Sequence, residues 1–130
     1  MKWGLCTVAI IAAMAAGRVS AHHSYAAYET DRILEVEGVI EDFEVVAPHS
    51  LLRVKSDDGR LYTAEWQSPI GLKRIGVQAD TLRKGDRVVL KGNPRRDFAG
   101  SGVVNFKGVT RASDGWTWPR QTVQAPVPLR

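Results

Sequence analysis

The hydrophobic positions of this chain fall into three regimes. Residues 3–16 are an apolar run without a single charge, closed by Arg18. From residue 33 to about 111, apolar and polar residues alternate in short stretches, the period of β-strands with one buried face. After Gly115 the pattern dissolves into WTWPRQTVQAPVPLR, which carries three prolines. The first alternating stretch, ILEVEGVIEDFEVV (33–46), sets Leu34, Val36 and Ile40 on one parity and Phe43 and Val45 on the other. A strand keeps one face buried through such a switch only where an extra residue is inserted, so the pattern predicts one long strand with a bulge near Glu41-Asp42 and a bend at Gly38.

Four more strands follow. SLLRVK (50–55) and LYTAEW (61–66) flank Ser56-Asp57-Asp58-Gly59 and read as a hairpin, with Tyr62, Ala64 and Trp66 sharing the core-facing parity. Ser68-Pro69 has the form of an N-cap followed by proline at the first helical position; Leu72 and Ile75 share a face, and Gly76 ends a short helix. The turn Lys84-Gly85-Asp86 leads into RVVLK (87–91), and GVVNFKGVTR (102–111) completes the set after the loop NPRRDFAGS (93–101). Five strands, the first of them bent, with a helix between the third and fourth, predict a mostly β chain: an OB-like Greek-key barrel over residues 33–111. Another small barrel or a sandwich is the alternative. Residues 112–130 are expected to form a Pro-rich surface tail rather than a core element.

The apolar run preceded by Lys2 and followed by Val19-Ser20-Ala21 is the pattern of a secretory signal peptide over residues 1–21. It is short for a membrane span, which takes about 20 residues. Cleavage after Ala21 would remove Cys6, the only cysteine, leaving a chain with neither disulfide nor thiolate metal site. That chain would begin at His22, with 22–32 as an N-terminal segment, no membrane span, and a periplasmic or secreted location. The leader takes two basic residues and no acid, so the formal charge falls from +4 to +2. The charge is segregated: residues 22–70 hold four Lys and Arg against ten Asp and Glu, and residues 71–111 hold ten against three. The two halves are expected to attract each other in the fold or to present an anion-binding face.

His-His-Ser at 22–24, Pro48-His49 after the first strand, EWQSPIGLKRIG (65–76), LRKGDRVVLKG (82–92) and the late Asp114-Gly115-Trp116 together resemble family 6152 of the domains of unknown function, small exported bacterial proteins. Order and spacing carry the resemblance more than any one motif. It implies a single exported domain and brings no activity or catalytic residue. Where the family's turn reads Asn-Pro-His, this chain has Ala47, which removes a side chain able to cap the turn or hold His49.

His22, His23 and His49 are the whole histidine inventory. A terminal histidine offers its α-amine and ring nitrogen to one metal, and His49 would add a third nitrogen; such a set suits copper, with zinc less specific. Distance opposes the three-histidine site. The strand from Ile33 to Val46 would run roughly 45 Å if straight, whereas the segment from His22 to Asp31 reaches about 33 Å, so the N-terminal segment must double back over the barrel. No nucleophile motif or phosphate-cradling loop is legible, and no catalytic residue is assigned. Asp57-Asp58-Gly59 reads as turn chemistry rather than a calcium loop, and Glu35 and Glu37 as solvated. Arg95, Arg96 and Phe98 lie in the loop with which OB barrels grip oligomeric ligands. The expectation is therefore an exported, non-enzymatic OB-like binding domain for a small molecule, glycan or protein partner, with nucleic acid disfavoured by the compartment. The alternative is a copper-binding protein using the terminal histidines in metal handling; a copper-oxidase-like enzyme ranks below both, since no substrate cleft is legible.

Overall fold

A computed structural model describes residues 23–120; the expected signal peptide, His22 and residues 121–130 lie outside the described residues. The first strand, β1 (Leu34–Glu44), pairs antiparallel with both β2 (Leu51–Ser56) and β4 (Arg87–Pro94). Its first half pairs with β4 and its second half with β2, the arrangement of a strand that bends as the sheet closes, and the sequence supplies both devices for bending. The register with β2 passes from Ile40↔Val54 to Asp42↔Arg53, leaving Glu41 as the inserted residue. Gly38 sits where β1 is flanked by Ser56 and Val88 at once, and a Cβ there would run into the backbone carbonyl of Lys55.

β2 and β3 (Leu61–Glu65) form the expected hairpin, and β4 pairs with β5 (Val103–Arg111). A parallel pairing of β3 with β5 through Thr63↔Val103, Ala64↔Val104 and Glu65↔Asn105 closes the sheet into a five-stranded barrel. Closure removes the sheet edges that a flat arrangement would expose. Ile40, Leu52, Val54, Leu90, Val104 and Val109 fill the interior, each 2% exposed or less. β4 runs beyond the expected Lys91 to Pro94, with Gly92 allowing Val104 to approach: a Cβ on Gly92 would lie 2.8 Å from the Val104 side chain.

Between β3 and β4 lies α2 (Pro69–Arg74), capped as the sequence predicts: the Ser68 hydroxyl accepts from the Gly71 amide at 3.2 Å, and Gly76 adopts φ 76° just past the end. Leu72 is its fully buried anchor. Two further one-turn helices, α1 (His23–Ala26) and α3 (Phe98–Ser101), were not read from the sequence. The stretch expected as a tail begins with a two-residue strand, β6 (Thr117–Trp118), paired with β5 at Val109↔Trp118 and Thr110↔Thr117. Its turn is held by the Arg111 guanidinium, which lies 5.7 Å from the centroid of the Trp116 ring and bonds both Asp114 carboxylate oxygens at 2.9–3.0 Å. That pairing holds the Asp114 carboxyl down at about 2.

The segregated charges meet across the barrel as three exposed pairs, Glu35–Lys91 and Asp57–Arg87 at 2.7 Å and Glu41–Lys84 at 3.9 Å. Among the described residues no helix is long and apolar enough to cross a membrane.

Candidate functional site

β3 and β5 stay paired only as far as Glu65↔Asn105 and then part. The β3 chain turns through Trp66-Gln67-Ser68 into α2, while β5 remains with β4 and takes on β6. The gap between them is an open cavity of about 480 Å³, within the range of small-ligand sites. Its apolar wall is aromatic. Trp66 stacks on Phe106 with ring centroids 3.9 Å apart and planes at 15°, and Trp118 leans on both at 5.2 and 5.5 Å. Trp66 reaches this position because the β2–β3 ladder continues past the strand ends, its amide donating to the Ser50 carbonyl at 2.8 Å.

The polar part of the lining is heterogeneous. Glu65, Gln67, Asn105, Lys107 and His49 contribute one carboxylate, two amides, an ammonium and an imidazole, with His49 and Lys107 exposed to solvent. Two donors in the lining residues are buried without an acceptor among the described residues, the Trp66 indole Nε1 and the Asn105 Nδ2. An unmet buried donor costs about 1–3 kcal/mol, so groups of this kind are seldom left idle in a core.

The remaining wall is the N-terminal segment, which does not double back over the barrel but continues the antiparallel course of β1 along the end of β4. Tyr28 makes an isolated bridge with Arg95; the Glu29 amide donates to the Pro94 carbonyl and the Arg96 amide to the Ala27 carbonyl, both at 2.9 Å. The Asn93 Nδ2 donates to the Arg32 carbonyl at 2.6 Å, fastening the far end of the same strap. So held, Tyr25 and Tyr28 line the cavity together with Pro48 and His49. Tyr28 is 5% exposed, and its hydroxyl donates to Glu65 Oε2. Burial, then the Glu65 hydrogen bond and charge, push the Tyr28 phenol well above its usual range.

The residues singled out from sequence are only partly gathered here. His49 is at the rim; His23 belongs to α1, two residues before the cavity-lining Tyr25, and its side chain, like all of His22, lies outside the described residues. Among the described residues no three His, Cys, Asp or Glu converge as a metal would need. Arg95, Arg96 and Phe98 are not cavity-lining residues. Arg95 pairs with Asp97 at 2.9 Å, and the Arg96 Nε donates to the Ala26 carbonyl at 3.0 Å. Phe98 stacks on Tyr62 beneath the Arg60 guanidinium, 4.6 Å from the Phe98 ring centroid. Tyr28, Asn105, Lys107 and Trp118 had no candidate role in the sequence reading. The signal for Trp118 was present in the alternation of Trp116 and Trp118 after Gly115, but the flanking prolines outweighed it; the others are brought together by closure alone.

No curated protein and no solved structure matches the chain. A family model described as a family of unknown function matches residues 9–105, from within the N-terminal apolar run through the strap and the barrel to the asparagine of the cavity wall, and stops short of Asp114-Gly115-Trp116. With most of its length matched, the chain belongs to that family, DUF6152.

Proposed function

We propose that the protein is an exported, non-enzymatic binding domain that holds a small ligand between β3, β5 and the N-terminal strap. The cavity of about 480 Å³, with its aromatic wall and mixed polar rim, carries the reading. Glu65, the carboxylate among its lining residues, is engaged with the Tyr28 hydroxyl, a strap-holding role rather than that of a free base. Export rests on the leader pattern of residues 1–21. The test is a thermal-shift panel on protein purified from cells expressing the full chain, covering sugars, amino acids, aromatic acids, nucleosides and short peptides. A ligand at a hundred times its Kd adds about 2.7 kcal/mol, a rise of several degrees in the unfolding midpoint. The rise is expected for at least one class and is expected to vanish in Trp118→Ala; silence across all classes would remove the reading. Mass spectrometry of the secreted protein is expected to find His22 first.

A second reading is copper binding by the mature terminus. What supports it is that Tyr25 of α1 and His49 line one cavity. Cu(II) is then expected to bind the protein more tightly than the free peptide HHSYAAYE by roughly an order of magnitude, the gain of a pre-organised site. Equal affinity, or no change in His49→Ala, would reduce this to a loose terminal chelate.

A further inference from the structure

Resting on the binding-domain reading, we infer that the ligand is a neutral saccharide of one or two pyranose rings, seated against Trp118 and Tyr25 and hydrogen-bonded by Glu65, Gln67 and Lys107. A sugar ring presents a flat C–H face and a rim of hydroxyls, each of which donates and accepts at once. The surface that recognises it therefore combines aromatic rings with donors and acceptors side by side. The cavity has that composition. Tyr25 is 61% exposed and Trp118 partly so, which leaves their rings open to a ligand face. Glu65 supplies acceptors, Lys107 donors and Gln67 both, within one lining.

Charge selects among ligands. The lining carries one carboxylate and one ammonium, a balanced pair that offers no net attraction to an acidic or a basic ligand. A purely apolar ligand would leave these groups desolvated and unpaired. The volume accommodates one or two rings.

The experiment is isothermal titration of the purified protein with neutral mono- and disaccharides, run beside the same non-sugar classes. Binding by at least one neutral sugar is expected, weakened roughly tenfold or more in Glu65→Gln, which keeps the shape of the side chain, and in Lys107→Ala, which removes an exposed residue from the rim. Trp118→Phe is expected to retain most of the affinity because it preserves a stacking face. Binding confined to a non-sugar class would overturn the saccharide while leaving the cavity as a ligand site; sugar binding indifferent to both Glu65→Gln and Lys107→Ala would place it elsewhere and overturn the inference too. Absence of binding by every class would sink the inference together with the reading beneath it.

Discussion

At the scale of single residues, the Tyr28 hydroxyl is where packing and the site meet. It is buried, it donates to Glu65, and it ties the strap to the last rung of the closing β3–β5 pair. Its folded-state pKa is raised above the ordinary phenol value near 10. The folded protein thus holds this proton more tightly than the unfolded chain, so the contribution is complete below about pH 10 and is lost as pH rises beyond it. Tyr28→Phe is expected to cost about 1–2 kcal/mol at neutral pH, since Glu65 loses its donor while the ring still packs. Between pH 9 and 11 or so, the urea midpoint of the variant should fall less steeply than that of the parent. Parallel slopes would show that the phenol does not titrate differently in the two states.

At the scale of elements, the first strand decides whether a barrel forms at all. A straight β1 would still pair with β2 on one edge and β4 on the other, but it would leave β3 and β5 far apart; the Glu41 bulge and Gly38 supply the bend that lets the sheet close. Gly38→Ala forces a methyl against the Lys55 carbonyl, backbone that has no room to retreat without breaking the ladder. A loss of about 1–3 kcal/mol is expected, the range of overpacked sites, measured as a lower urea midpoint with an unchanged slope. Gly59→Ala offers a control of another kind: its added Cβ meets nothing within 4 Å, so any cost there comes from φ +86° alone.

At the scale of the whole molecule, the strap converts a barrel end into a cavity. It is fixed largely by backbone bonds to the β4 end and by Arg96, whose amide and Nε reach Ala27 and Ala26. Arg96→Ala is expected to loosen it locally: amide exchange at Tyr28 and Glu29 should quicken, while Leu90 and Val104 in the barrel keep their protection. Uniformly faster exchange would mean that the strap and barrel open as one unit. The result also separates two roles for Arg96, since a side chain serving only to grip a ligand would leave strap exchange unmoved.

Much of the fold is legible in the amino-acid sequence. Parity alone located the bulge, the Ser68-Pro69 pair located the helix, and the turn at Ser56–Gly59 located the hairpin, because each depends on neighbours in the chain and on the period of a half-buried strand. The cavity was not legible in the same way. Glu65 and Asn105 are forty positions apart in sequence and become neighbours only through parallel closure of β3 on β5, while Tyr28 joins them only because the N-terminal segment continues along the end of β4. Arg95 and Arg96 stand out in the sequence by their place in the loop between β4 and β5, and their contacts with Asp97 and with the strap appear only in the tertiary structure. Local pattern thus determined which elements form and which faces they bury. Which polar groups are left facing a shared space is set by long-range pairing, and no periodicity in the chain encodes that.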